Sequence, residues 1–233
     1  MLNELLWISL LLINFVIVIF AYKLFGKTGL YVWTAVAVIL ANIQVMKTIQ
    51  IFGLVTALGN VVYSSIFLVT DILNENHSKK DAQKAVWIGF FVLISVTIIM
   101  QITIQFIPHE SDKLSPAISE IFSFFPRIAF ASLVAYIISQ SHDVWFFAKL
   151  KKRDKTKRLW LRNNLSTTIS QTIDNLIFTA IVFVGEQPFD IIVQIFVTSL
   201  ILKIIVAALD TPFVYLGRKI KNANKLFFKK NDS

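Results

Sequence analysis

The chain has no cysteine, so a disulfide framework and a thiolate metal site are both excluded. Histidine is nearly as scarce. His77, His109 and His142 are scattered, and no imidazole metal cluster is expected from them. There is no GxxxxGK[ST] loop, so the chain carries no phosphate-cradling loop of that kind. Neither a nucleophile–base pair nor a metal motif occurs at useful spacing, which argues against an intramembrane enzyme. Acidic residues are outnumbered by basic ones, 14 to 23, for a net charge of +9. That excess is concentrated in a few segments between apolar runs. It reads as membrane topology and not as nucleic-acid binding.

Apolar residues are abundant. They make up 56% of the chain, with 21 phenylalanines, and the mean hydropathy is +0.68. Soluble domains average about 45–50% apolar. The expected class is therefore all-α: a polytopic membrane helical bundle.

About 20 apolar residues cross a bilayer core as a helix. The first such run is Leu5–Leu24. Only Glu4 precedes it as a charge and no small-residue cleavage site comes after it, so it reads as a retained helix rather than a signal peptide. The second run is Tyr31–Ile51, polar in its second half, where Asn42, Gln44, Lys47 and Gln50 fall. Lys47 lies near the helix end and reads as a snorkelling cation, whereas Asn42 is more central and points to a site. The third run is Leu54–Leu73 and the fourth, Ala85–Ile107, looks like scaffold. Pro108 stops the fourth, and a short interfacial helix is expected at Ser119–Phe125, with Phe122, Phe124 and Phe125 in the headgroup region. Runs five, six and seven are Arg127–Leu150, Leu165–Val184 and Ile191–Leu216, the last with a kink expected at Thr211-Pro212.

Lysine and arginine fix an orientation. The segment KKRDKTKRLWLRN after the fifth run and the tail from Arg218 are strongly basic. Counting back, the links after the third and first runs also carry lysines, and the remaining links are poor in them. Seven spans with the N-terminus outside and the C-terminus inside satisfy every link.

The third run ends NVVYSSIFLVTDILNE, and its polar residues are informative. Asp71 and Glu75 are four apart and stack on one helix face, which Tyr63 and Phe67 continue. A carboxylate in hydrocarbon costs about 3 kcal/mol on insertion scales and usually faces a cavity or a partner. Glu75 fits either the site or the membrane surface. In the fifth run Tyr136, Gln140 and Asp143 share a face, and Arg127 opens the helix. In the sixth, Ser170 and Asp174 share a face that Gln171 borders, and Asp174 lies well inside the membrane. Lys203 and Asp210 belong to the seventh. Lys203 and Asp174 both lie near mid-helix, so they are the first expected pair. Six charges on five helices (Lys47, Asp71, Arg127, Asp174, Lys203 and Asp210) suit a wet substrate cavity better than isolated structural pairs. The first helix donates none of them and is expected to be peripheral.

With these residues in view, the chain resembles the queuosine-precursor transporter family, of the vitamin-uptake type. The matching stretches are NIQVMKTIQIFG from Asn42, Gly59 with Tyr63 and FLVTDILNE, KKDA, RIAFASLVAY with SQSHDVWFF, LWLRNNLSTTISQTIDNLIF, and Lys203 with DTPFVY. They run in order over most of the chain from Asn42 to Tyr215. The resemblance implies a six-helix transporter core at residues 29–217, an extra N-terminal transmembrane helix at 1–28 and a basic cytoplasmic tail at 218–233. It implies a multi-pass protein of the cell inner membrane that imports deazaguanine bases: cyano or aminomethyl precursors of queuosine, or queuine. Secondary transport is the expected mode, and a substrate-binding subunit served by a separate ATPase module is the alternative. No cofactor and no nucleic-acid partner is expected; a homo-oligomer is compatible with the sequence. Asn76-His77-Ser78 replaces the family's usual Tyr-Gly, so no substrate contact is assigned there.

A deazaguanine presents a ring N–H beside an exocyclic amine, next to a carbonyl. Unpaired bases are read by hydrogen bonds to that edge and by aromatic stacking. Asp71 or Asp174 could accept the donor pair. Asn42, Gln140, Arg127 or Lys203 could donate to the carbonyl, and Tyr63, Phe67 or Tyr136 could stack. Glu75 and Gln171 complete the candidate set.

Overall fold

A computed structural model of the chain describes residues 2–153 and 159–231. The side chains of Gln140, Asp143, Val144 and residues 146–167, the run 154–158 and the side chains beyond 221 lie outside the described residues, and with them the predicted basic link and part of the predicted tail. Seven α-helices and one β-hairpin are seen among the described residues: α1 (Leu2–Gln44), β1 (Thr48–Ile51), β2 (Leu54–Ala57), α2 (Gly59–Asn76), α3 (Lys79–Thr103), α4 (Ser115–Ser123), α5 (Phe125–Arg153), α6 (Leu159–Phe183) and α7 (Phe189–Asn231).

The first two predicted spans are the two halves of α1. Gly26 separates them with φ 58° and ψ −141°, a conformation open essentially only to glycine. The chain then doubles back so tightly that a Cβ on Gly29 would run into the Ala21 carbonyl. The halves are antiparallel, because the start of the first half meets the hairpin that leaves the end of the second. Asn3 Nδ2 donates to the Gln50 carbonyl at 3.0 Å, and the Phe52 amide donates to Glu4 Oε1 at 3.0 Å.

The second predicted span stops seven residues early, at Gln44, and the third begins only at Gly59. Between them lies the hairpin, in register Thr48↔Ala57 to Ile51↔Leu54. Thr48, Ile49, Ile51, Val55 and Thr56 are β-branched and favour strand. Phe52 and Gly53, at φ 52° and 79°, form the two-residue turn that matches strand twist. The Val55 amide ties the hairpin to Gln194 Oε1 on α7, at 3.2 Å.

The first helix is not peripheral, contrary to expectation. Trp7, Leu11, Phe15, Val18 and Tyr22 are all buried, and their three- and four-residue spacing makes one stripe packed in a core with α2 and α7. Phe15 meets Phe213 edge-on at 5.1 Å. A helix need not be charged to be central; it needs a partner for its apolar face. Nor is α3 mere scaffold, since Gly89 and Phe90 face a cavity described below. Phe125, expected among headgroups, is fully buried. The helix α7 passes through Pro212 and continues far past Leu216.

Two ends of the bundle are distinct. At one lie the N-terminus, the hairpin, and the loop joining α6 to α7, where Arg127 Nη1 pairs with Glu186 at 2.6 Å. At the other, the Gly26 bend meets the α2–α3 turn. Lys27 pairs with Asp81 at 2.8 Å, Tyr22 Oη lies 3.0 Å from His77 Nε2, Arg218 lies 3.6 Å from Glu75, and Lys221 Nζ donates to the Asn76 carbonyl. Among the described residues, Leu2–Gln44, Lys79–Thr103 and Ser115–Ser139 are long and apolar enough to cross a membrane by length and composition.

Candidate functional site

Close backbone approach sets the site. A Cβ on Gly59 would run into the Ala41 carbonyl and come within 2.8 Å of the Val45 amide nitrogen. The start of α2 therefore lies directly on the end of α1, and Asn42 comes beside Asn60 and Tyr63. From there α2 carries Tyr63, Phe67 and Asp71 down one face at four-residue intervals. Tyr63 and Phe67 meet edge-on at 5.5 Å and 88°. Tyr63 is 42% exposed, yet its neighbours Val62 and Ser64 are buried, because Tyr63 lines three adjoining cavities.

The largest of these that holds the expected pair has a volume of about 350 Å³. Asp174 of α6 and Lys203 of α7 face one another across its base, Oδ2 to Nζ 3.7 Å. Ser139 of α5 donates to Asp174 Oδ1 at 3.4 Å. Charge-assisted N–H···O bonds run about 2.7–2.9 Å, so this pair is loose. Both groups keep hydrogen-bonding capacity for a ligand. The walls are aromatic: Tyr63 and Phe67 on one side, and Phe90 with Tyr136, centroids 4.8 Å apart, on the other. Asn42, buried, spends its Nδ2 on the Val38 carbonyl at 2.6 Å. The cavity extends past Asn74 to Lys79 and Gln83, at the end of the bundle that carries the Gly26 bend.

Seven of the predicted residues line this cavity: Asn42, Tyr63, Phe67, Tyr136, Gln171, Asp174 and Lys203. Asp71 does not. It lines a second cavity of about 150 Å³, on the other side of Lys203, with Asp210. Glu75 is at the bundle end with Arg218. Arg127 is held by Glu186 and by the carbonyls of Ile181, at 2.6 Å, and Val184, away from all three cavities. Sequence reasoning missed Phe90, Ser132, Ser139 and Asn60. Phe90 sits in a uniformly apolar run and gives no signal; Ser139 was readable only as the residue one turn beyond Ala135 on the Tyr136 helix.

A bundle of apolar helices around a polar, charged cavity open toward one end is the plan of a membrane transporter for a small solute. Comparison with known proteins makes this specific. Residues 57–217 match the family model described as "Putative vitamin uptake transporter". The chain is 43% identical over 221 residues to a "Probable queuosine precursor transporter" of Bacillus subtilis (strain 168), covering 94% of this chain and 96% of that one. It is 29% identical over 143 residues to the "Queuosine precursor transporter" of Escherichia coli (strain K12), covering 61% and 62%. A second "Probable queuosine precursor transporter", of Haemophilus influenzae, is 27% identical over 132 residues, covering 56% and 54%. No solved structure matches. The chain belongs to the vitamin uptake transporter family, in its queuosine precursor transporter branch.

Proposed function

We propose that the chain is a seven-span protein of the cell inner membrane that imports deazaguanine precursors of queuosine by secondary transport. The spans are the two halves of α1, then α2, α3, α5, α6 and α7. The end bearing the Gly26 bend and the α2–α3 turn is cytoplasmic, because Lys23, Lys27, Lys79, Lys80, Lys84, Arg218 and Lys219 gather there. The opposite end, with Glu4, Glu186 and Asp190, faces outward.

The observation that carries the reading is the Asp174–Lys203 pair at the base of an aromatic-walled cavity. Its volume lies at the lower end of the roughly 300–1,000 Å³ of small-molecule sites, a size that suits a two-ring base. In the bound state the Asp174 carboxylate accepts the ring N–H and exocyclic amine together, and the Lys203 ammonium donates to the adjacent carbonyl. Tyr63, Phe67 and Tyr136 hold the ring faces. Asn42 and Gln171 border the base edge. An acid and a base side by side match a ligand whose donors and acceptor are side by side. An unpaired charge at this depth would cost several kcal/mol, so the pair also keeps the empty site tolerable.

The test is uptake of labelled cyano-deazaguanine into membrane vesicles, with an imposed cation gradient or with ATP. The Asp174→Asn variant inserts into the membrane but loses uptake by one to two orders of magnitude, the equivalent of about 1.5–3 kcal/mol for hydrogen bonds to a charge. Wild-type rates in that variant would sink the reading. Uptake that needs ATP and a second polypeptide would sink its secondary-transport part.

A further inference from the structure

Beneath Lys203 lie two acids that the substrate site does not use. Asp71 of α2 and Asp210 of α7 both line the 150 Å³ cavity, and both also line a vestibule of about 690 Å³ nearer the bundle end. Asp210 is 5% exposed. No hydrogen bond or ion pair engages either carboxylate among the described residues. Each of the other acids near that end has a basic partner: Glu75 has Arg218 and Asp81 has Lys27. Asp71 is exposed into the vestibule, and two like charges lining one cavity without a cation repel; sharing one proton or binding one monovalent cation relieves the repulsion.

The groups facing the pair favour this. From α2 come Tyr63, Ser64 and Asn60, and from α6 comes Gln171, all neutral. From α1, among the described residues, only Trp7 reaches it. From α7 come Lys203 above and Tyr215 and Arg218 below, and Glu75 of α2 already lies against Arg218. Among the described residues, Lys203 is the one charged group shared with the substrate cavity. It lies between Asp174 on one side and the two acids on the other, so any change in its engagement is felt at both sites.

We propose that Asp71 and Asp210 form the coupling site of the transporter, binding one monovalent cation, H⁺ or Na⁺, separately from the base. The inference rests on the transport reading above. The cation neutralises one of the two negative charges and leaves Lys203 to Asp174 and the base. Loss of the cation into the vestibule past Glu75 and Arg218 restores both charges and draws Lys203 away from Asp174, which weakens the hold on the base. Release of cation and substrate are thereby linked at one ammonium group.

Two measurements test this on the full chain. The first uses purified protein in liposomes. Wild type accumulates labelled cyano-deazaguanine under an inward H⁺ or Na⁺ gradient, and the gradient that works names the cation. Asp71→Asn and Asp210→Asn lose accumulation but keep exchange of labelled for unlabelled base, whereas Asp174→Asn loses both. Gradient-driven accumulation in Asp71→Asn and Asp210→Asn like that of wild type overturns the proposal, and so does loss of exchange in these variants. The second needs no substrate. A carbodiimide modifies protonated carboxyls within membranes, and mass mapping locates the label. Labelling at Asp71 or Asp210 that fades as pH rises supports a proton site, and protection by Na⁺ supports a sodium site. No labelling at either residue under any condition overturns the proposal. If wild type neither exchanges nor accumulates the base while the label still maps to these residues, the choice of substrate fails and the cation site stands.

Discussion

At the scale of single residues, the balance between burial and pairing decides behaviour. Lys203 and Asp174 have side chains 17% and 29% exposed, and each compensates the other. Removing one partner of a buried pair typically costs about 3–5 kcal/mol, while removing both is far milder. Lys203→Met should therefore lower the unfolding temperature in detergent more than the double change Lys203→Met, Asp174→Asn. A single variant as stable as the double would contradict the pairing. His77 makes a second case, at the turn between α2 and α3. Burial holds its pKa below the ordinary histidine value, and the positive charges of Lys221 and Lys27 push the same way, against Asp81. The folded state thus binds fewer protons than the unfolded chain just below about pH 6.5. The stability this provides is complete above that value and is lost as pH falls through the lower folded value. Unfolding temperatures measured from about pH 7.5 down to about pH 5.5 should fall in wild type, and His77→Gln should flatten the fall.

At the scale of elements, the glycines at close approaches are the sensitive points. The α1 hairpin closes only because position 29 has no side chain to meet the Ala21 carbonyl. Gly29→Leu should remove folded protein from the membrane, read as the yield of monodisperse protein after extraction. Gly53 differs: its φ is 79°, but a Cβ there meets nothing within 4 Å. Asparagine visits that conformation readily, so Gly53→Asn should cost at most about 1 kcal/mol. Equal yields for the two variants would show that backbone packing at residue 29 is not what holds the α1 halves together. The hairpin between α1 and α2 shows a different limit on sequence reading. Its apolar, β-branched residues continue the hydropathy of the flanking helices, so hydropathy alone extends both helices through it. Strand pairing, fixed by the Phe52-Gly53 turn, wins over that continuity.

At the scale of the whole molecule, the absence of cysteine is an experimental asset, since any introduced cysteine is a unique label. The proposed orientation predicts that Asp112→Cys reacts with an impermeant maleimide in intact cells, and that Lys80→Cys reacts only after permeabilisation. The reverse pattern would invert the topology. The sequence alone determined the membrane class, the apolar segments and the clustering of basic residues along the chain, because hydropathy and charge are properties read along one dimension. The family was legible for the same reason: its motifs are linear. Which charges meet is a three-dimensional matter. Asp174 and Lys203 pair, as their depth along the chain implies, but of Tyr63, Phe67 and Asp71, one stripe by spacing, the two aromatics line both cavities and Asp71 lines only the second of them. Arg127, placed by count just inside the apolar boundary, is consumed by Glu186 and two carbonyls at the far end of the bundle. Helix rotation and contact, set by the approaches at Gly29 and Gly59 and by the stripe from Trp7 to Tyr22, made those decisions. Only tertiary packing specifies them, because they depend on which faces touch and not on how far along a helix a residue lies.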